Sequence, residues 1–579
     1  MDQQVMLCHK CVNLDLNKLA QKIHAEVVKV DNCEEELYIE SGYDNVIFGC
    51  PALYHASNYS GMYDIVDLRL MEKFKKSEDV AADLINSSLI TALPQTKAVV
   101  TGNTVIYWGN NLDVISELLD NPDLDLTIIT DRNTVKELYP FNTRIMEVDN
   151  LEEDNRNYRR IEITGSVGDF NVVVDGYDPV KGNRGSFSLK AGQLIVPQWL
   201  ERDKEGLYSY ANTSEEFEAA LKATNNLGGY TRISPVRVHH EMCAASKSGY
   251  NGCELCLSCP QGAISKDGNI SISASCNGCG FCAAVCPISV IDNTLLPSKK
   301  LWEKIDAVLK KNKILAFICE RALGSLYGLK DKKLPQISPV VVPCINAVSE
   351  VHYLYAVLKG ANVAVIPCED EHNFECFDLA KQTLNAFGFD CLKKTSFEEL
   401  KNTQLKDKNP GDILDRLPDE KKREQWLYMV HKLMDNYKIM QPVIDSKVFA
   451  AIEITDNCTL CMTCTQFCPT EAIRNTGESI NFNHGLCIAC GLCTACPEDS
   501  IKITRGLDLH QLGDKEIFKG EVICCPSCGK PHIPKNLYEK FSKLGEHSLL
   551  FCSECRPKII LESIYEEMTD EQKGSDKNE

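Results

Sequence analysis

The sequence predicts a multidomain protein built from α/β and α+β units. Three patterns lead there. Short apolar runs of strand length alternate with segments of helical spacing over residues 1–92, 97–235 and 300–392, the rhythm of α/β domains. Two cysteine-dense blocks, residues 240–295 and 449–505, break that rhythm and carry hairpin signals instead. A third cysteine group, at 520–560, holds two Cys-x2-Cys turns. The 579 residues leave room for about three to five domains. Hydrophobic residues make up 44% of the chain, enough for each domain to bury a core.

In chain order, Val5-Met6-Leu7 opens as a strand. Leu14 to Ala25 has helical spacing, and Val27 to Val30 and Val46 to Phe48 are further strands. In the second stretch Val105-Ile106-Tyr107-Trp108 reads as a strand, Leu112 to Leu119 as a helix and Leu126 to Ile129 as a strand. Gly165 to Val174 has a hairpin pattern, and Leu194-Ile195-Val196 is another strand. The third stretch places strands at Ile314 to Ile318, Val340 to Val342 and Val363 to Ile366. Residues 396–447 are charged, with one turn cluster at Asn409-Pro410-Gly411, and read as a mostly helical linker. The polar tail, 566–579, is expected to be disordered.

Fifteen of the thirty cysteines fall into two near-copies of one pattern. Cys458-x2-Cys461-x2-Cys464-x3-Cys468-Pro469 is followed by Cys487-x2-Cys490-x2-Cys493-x2-Cys496-Pro497. The other copy is Cys253-x2-Cys256-x2-Cys259-Pro260, then Cys276-x2-Cys279-x2-Cys282-x3-Cys286-Pro287. This is the pattern of bacterial-type dicluster ferredoxins, in which three thiolates on one loop cap three irons of a [4Fe–4S] cube. The fourth, before proline, reaches the other cube. Iron in such a cube wants soft anionic ligands, which thiolates supply. After each first loop a hairpin is expected, in "GAISKDGNISIS" and "EAIRNTGESINF", with glycine at the bend.

On this reading Cys458, Cys461, Cys464 and Cys496 hold one cluster, and Cys487, Cys490, Cys493 and Cys468 its neighbour. In the first copy Cys276, Cys279, Cys282 and Cys259 form one set. The other, Cys253, Cys256 and Cys286, lacks a locally spaced member. Cys243, displaced by Ala244 to Gly252, is the candidate. The competing account is a four-cysteine zinc site or buried thiols.

Composition narrows the function. A formal charge of −20 argues against nucleic acid, which needs clustered Lys and Arg, and suits docking to basic patches on redox partners. A chain this long does not need disulfide staples, so the x2 spacings point to metal. No basic-then-apolar leader follows Met1, and no apolar run reaches a membrane span, so a cytoplasmic protein is expected.

Cys8, Cys11, Cys33 and Cys50 mostly follow or nearly follow strands, where an open α/β sheet gathers ligands. Here "MLCHKCVNLDLNKLAQKI…VDNC…NVIFGCPALYH" resembles the N-terminal region of the heterodisulfide reductase A family. "EITGSVGDFNVVV" and "LKAGQLIVPQ" resemble stretches of that family's flavin domain. The resemblance implies a fifth [4Fe–4S] cluster on those four cysteines. Reduced core cysteines, or a zinc site including His9, are the alternatives. The glycine-rich fingerprint of a dinucleotide site is missing, since the strand ending at Trp108 is followed only by Gly109-Asn110-Asn111-Leu112, and Pro197-Gln198 stands where the family has a second glycine turn. A degenerate Rossmann-like domain without FAD is therefore expected at 97–235.

"AFICERALGSLYG", "VVVPCINAVSEVHYLYAVLKGANVAVIPC" and Cys376 resemble the delta subunit of methyl-viologen-reducing hydrogenase. That likeness implies a [2Fe–2S] cluster on Cys319, Cys344, Cys368 and Cys376. Ala322 replaces a further family cysteine, and the last spacing is longer. Buried free thiols in a docking domain are the alternative. Near the end, Cys525-x2-Cys528 and Cys552-x2-Cys555 have the spacing of a zinc ribbon, with a rubredoxin-like iron as rival.

Together these features imply a multi-cluster electron-transfer protein between redox enzymes: hydrogenase, formate dehydrogenase or a heterodisulfide-reductase-like complex. The competing expectation is a flavin-dependent oxidoreductase component of the heterodisulfide reductase A type. No catalytic constellation of its own stands out.

Overall fold

The computed structural model describes residues 3–8, 14–30, 45–49, 64–65, 68–92, 96–99, 101–138, 143–148, 161–197, 207–210, 230–248, 252–273, 276–310, 313–329, 334–370, 372–401, 408–415, 421–545 and 547–575. It is a mixed α/β protein of several sheets. The first is parallel, in the order Glu26–Val30, Gln3–Cys8, Asn45–Gly49, Asp64–Ile65. The helix expected over Leu14 to Ala25 is shorter, Leu16–Ala20. Asp15 caps it by accepting from the amides of Asn17 and Lys18.

Helix Ser77–Ser88 covers this sheet and is nearly all buried. Its second neighbour is a four-stranded parallel sheet far along the chain, ordered Ile337–Val342, Ile314–Cys319, Asn362–Ile366, Leu392–Lys394. Val5, Leu7, Val80, Leu84 and Ile85 share one apolar cluster with Ala316, Ile318, Ala364 and Ile366. The two sheets are thus parts of one core. A buried charge is pinned there: both carboxylate oxygens of Asp83 lie 2.7 Å from Lys310 Nζ, and Ser338 donates at 2.9 Å. Burial raises the Asp83 pKa, opposed by the bonds from Lys310.

Between them in sequence lies an eight-stranded sheet. Its parallel part runs Arg144–Glu147, Asp125–Thr130, Thr104–Trp108, Gln193–Pro197, Leu207–Tyr210, the third-second-first-fourth-fifth order of a doubly wound sheet. Ile161–Ser166, Asp169–Asp178 and Asn183–Ala191 extend it as an antiparallel meander. At the switch point, Asn111 accepts from the amides of Asp113 and Val114 and so occupies the start of helix Leu112–Leu119 itself.

The hairpins expected after the first cysteine loops are present. Ile264–Asp267 pairs with Asn269–Ile272, and Ile473–Asn475 with Ser479–Asn483. Gly268 and Gly477 take the left-handed bends, at φ 71° and 96°. Two features differ from expectation. Within 396–447, helix Lys422–Asn436 is no loose connector: Trp426, Met429, Val430 and Leu433 belong to the core of the middle sheet. Helix Arg556–Ser575 runs well into the stretch expected to be disordered; its Glu, Lys and Met residues favour helix, and Lys558 and Glu562 pair one turn apart. No described helix is long and apolar enough to cross a membrane.

Lys310→Met should leave Asp83 buried without its cation. Because Lys310 is partly exposed, the cost should be about 2 kcal/mol, below the ~3–5 kcal/mol of a fully buried pair. Amide exchange should then quicken about 30-fold in helix Ser77–Ser88, with residues 104–197 unchanged.

Candidate metal centres

The cysteine loops are built by one repeated backbone device. The second residue after a loop's first cysteine is left-handed in three of the four loops: Gly278 (φ 75°), Leu460 (53°) and Ala489 (51°). So is the residue after the second cysteine: Gly280 (81°), Met462 (69°) and Gly491 (75°). This winding turns backbone amides toward the sulfurs, as in an anion-binding nest. Leu460 N and Ala489 N each lie 3.5 Å from the Sγ of Cys458 and Cys487. A left-handed non-glycine costs about 1–2 kcal/mol, so Leu460, Met462 and Ala489 mark positions where loop geometry overrides local preference. Three residues after every Cys-Pro cysteine the device recurs, at Gly262, Ser289, Glu471 and Asp499. The fourth loop, Cys253 to Cys259, lacks the two internal left-handed residues and carries a short 3-10 turn, Leu255–Leu257, instead.

The thiols fall into neighbourhoods. Cys253 and Cys256 both feel Cys286 and Cys243 electrostatically, so the displaced Cys243 does come to their side. Cys282 feels Cys276, Cys279 and Cys259. In the later block Cys464 feels Cys458, Cys461 and Cys496, and Cys493 feels Cys487, Cys490 and Cys468. Burial pushes these thiols up, Cys253 to about 11, Cys256 to about 12, Cys464 to about 11 and Cys490 to about 12. A buried thiol without a cation stays protonated; a bound metal reverses that balance and takes the thiolate. Four convergent sulfurs ringed by amides suit an anionic iron–sulfur cube.

The neighbourhoods also lie within electrostatic reach of one another in a definite order. Cys344 feels Cys279, Cys282 feels Cys256, Cys490 feels Cys253, and Cys493 feels Cys464. Ile488 and Leu492 of the later block pack into the apolar cluster of the earlier one. The blocks, about 200 residues apart in sequence, therefore abut.

Two cations that the sequence reading missed lie at this junction. Both are buried at the start of helix Lys422–Asn436. Lys422 Nζ bonds Ala284 O and, at 3.1 Å, Glu350. Arg423 donates to Val448 O at 2.9 Å and stacks 3.8 Å from the Phe449 ring centre. Its guanidinium pKa is held down to about 10 by burial, with Glu350, Cys487 and Cys253 opposing. Nothing in the local sequence distinguishes these two from other helix-surface cations.

The C-terminal knuckles converge fully. The sulfurs of Cys525, Cys528, Cys552 and Cys555 all lie within 4.8 Å of one another, and those of Cys528 and Cys552 are 3.6 Å apart. Cys524 is exposed beside them. In the middle sheet Cys319 and Cys368 meet at 3.5 Å, and Cys344 Sγ lies 3.6 Å from His372 Nδ1. Cys376 is not brought to them; its thiol bonds Glu350, and burial raises its pKa. His372 stands with the group instead, its Nε2 3.3 Å from Cys368 Sγ. At the N-terminus only Cys8 is described, buried at the end of its strand; Cys11, Cys33 and Cys50 lie outside the described residues. The neighbouring strands end beside it, Cys8 opposite Val30 and Leu7 opposite Gly49.

Residues 450–514 match the family model of the 4Fe-4S dicluster domain. No curated protein matches the chain. The matched domain and the cysteine groups define an iron–sulfur protein.

The left-handed glycines differ in the room they leave. A Cβ on Gly280 would lie 2.4 Å from Asn293 Nδ2 and 2.7 Å from Ala347 Cβ, whereas one on Gly491 meets nothing within 4 Å. Gly491→Ala should therefore cost only the ~1–2 kcal/mol of backbone strain and keep its iron. Gly280→Ala should cost more and deplete iron from the Cys276 loop, read as iron per chain after anaerobic purification.

Proposed function

We propose that this protein is an electron-transfer component that carries four [4Fe–4S] clusters in line and works between two protein partners. The ligand sets are Cys259, Cys276, Cys279 and Cys282; then Cys243, Cys253, Cys256 and Cys286; then Cys468, Cys487, Cys490 and Cys493; then Cys458, Cys461, Cys464 and Cys496. The observation that carries this reading is the packing of Ile488 and Leu492 of the later block into the apolar cluster of the earlier one, with the thiol groups in electrostatic reach of one another in that order. When bound, such clusters accept and release single electrons without a substrate pocket. The chain's own residues set their surroundings: left-handed loops aim amides at sulfur, and apolar packing at Ile488 and Leu492 keeps water from the middle of the line. The terminal knuckles take zinc and hold the short C-terminal unit together. The N-terminal cysteines add a further [4Fe–4S] site on Cys8, Cys11, Cys33 and Cys50.

The resemblances suggest the partners, a hydrogenase or formate dehydrogenase as donor and a heterodisulfide-reductase-like enzyme as acceptor. With a formal charge of −20, docking should weaken as salt shortens the Debye length below the ~8 Å of physiological ionic strength.

Anaerobically reconstituted protein should hold about sixteen irons from these four sets alone. Fewer than about twelve would refute the arrangement. Cys243→Ala should remove one cube's EPR signal and leave that of the Cys276 set; an unchanged spectrum would exclude Cys243 as a ligand. Turnover of NADH, formate or hydrogen by the chain alone would sink the partner-dependent reading.

Arg423 should raise the potentials of the two inner clusters. A unit charge about 8 Å away at an effective dielectric of ~20 contributes about 2 kcal/mol, or about 90 mV for one electron. Arg423→Gln should lower two of the four midpoints in an EPR redox titration, by tens of millivolts, with iron content unchanged.

A further inference from the structure

A [2Fe–2S] core on the middle sheet would need Cys319, Cys344, Cys368 and Cys376 as its donors. The residues present do not fit it. Cys376 is turned to Glu350. In its stead the ring of His372 sits between two of the remaining thiols, with Nε2 3.3 Å from Cys368 Sγ and Nδ1 3.6 Å from Cys344 Sγ. A two-iron core holds its donors in two separate pairs, one pair per iron. Here the imidazole fills the space that would divide them.

The same donors fit a smaller guest. A tetrahedral ion with metal–sulfur bonds of ~2.3 Å keeps neighbouring donors about 3.7 Å apart. The sulfurs of Cys319 and Cys368 are 3.5 Å apart, close to the 3.6 Å of Cys528 and Cys552 in the terminal knuckles. The donor atoms of Cys319, Cys368 and His372 all lie within 4.8 Å of one another. Among the described residues only this group and the terminal knuckles gather so tightly; the four ferredoxin-type sets do not. Cys344 stands beside them, against the far nitrogen of His372. The topology explains the gathering. Cys319 ends the strand Ile314–Cys319, Cys344 follows Ile337–Val342 and Cys368 follows Asn362–Ile366. These are three adjacent parallel strands, and their carboxyl ends open at one edge.

We propose that Cys319, Cys368 and His372 Nε2 hold a single zinc ion, a solvent molecule completing the tetrahedron, while Cys344 orients the imidazole from its other nitrogen. Thiolate and imidazole are established zinc donors, and zinc has no redox chemistry of its own. The ion would then close the line of clusters on this side rather than lengthen it. It would also steady the nearest cluster. Asn346, two residues after Cys344, accepts from the amide of Asn373, next to His372, at 3.0 Å, and its side chain also lies beside the Cys279 thiol. The ion's two loops therefore place a polar group beside a ligand of the Cys259–Cys282 set, and such neighbours tune cluster potential.

The test is zinc K-edge absorption and metal counting on the full-length protein purified anaerobically. The terminal knuckles offer only sulfur, so a nitrogen donor at the zinc edge reports this site alone. A nitrogen shell is expected in the wild type and absent in His372→Ala, which should lose about one zinc and keep its iron. His372→Cys should retain the zinc without the nitrogen shell. In His372→Ala the midpoint of one cluster should also move. A wild-type zinc edge with sulfur donors alone, or loss of about two irons and a [2Fe–2S] spectrum on removing His372, overturns the proposal. If His372→Ala does not fold, the wild-type edge and His372→Cys still decide. The outcome is separable from the relay reading, which stands or falls on iron rather than zinc.

Discussion

Two cations at the start of one helix hold the redox part of this protein together. Lys422 reaches the short helix Phe281–Val285, just before Cys286, through Ala284 O and the middle sheet's helix Glu350–Leu358 through Glu350. Arg423 reaches Val448 and Phe449, which lead into the later cysteine block. Burying a charge is expensive unless each donor finds a partner. Here the partners come from three different segments, so the cations find them only when all three are docked; even then the buried Nε of Arg423 has no hydrogen-bond partner. The cost of exposing them resists any sliding of one block on the other. The junction thereby fixes the spacing between the two cysteine blocks.

Chemistry was far more legible in the sequence than placement. Ligand loops are local: Cys458 to Cys468 needs only its own spacing to declare itself, and the hairpins that follow need only a glycine at the bend. The strands at 105–108 and 194–196 were equally plain, because β-rich apolar runs carry their own signal. What the sequence hid was long-range. His372 lies one turn's distance from Cys368, a spacing with no meaning until the parallel strands bring Cys319 and Cys344 alongside. Cys376 was the donor that the likeness to the hydrogenase delta subunit implied, yet it falls inside helix Glu375–Asn385, beside Glu350. Lys422 and Arg423 look like ordinary surface charges. The C-terminal helix was hidden for the opposite reason: its polarity resembles that of a disordered tail, and only its helix-forming residues argue otherwise.

The loops show how one solution is reused and where it is altered. Three loops share left-handed residues at two matching places, and all four Cys-Pro turns share a third such position. The exception is the loop whose local ligand is missing. Its different winding, with Gly252 at φ 120°, goes with the arrival of Cys243 from outside. A cluster that took Cys243 as its fourth ligand would tie Ala244–Ser248 to this loop.

The shared core of the first and third sheets bears on synthesis. Helix Ser77–Ser88 is complete early on the ribosome, but the strands that cover its second face end only at Ile366. At ~5–20 residues per second the wait is roughly 15–55 s. Throughout it Val80, Leu84 and Ile85 lack part of their burial, while the doubly wound sheet and the first cysteine block emerge and can fold. The N-terminal segment is thus a natural client for chaperones. Its completion acts as a late checkpoint, reached only after the first ligand loops are already in place.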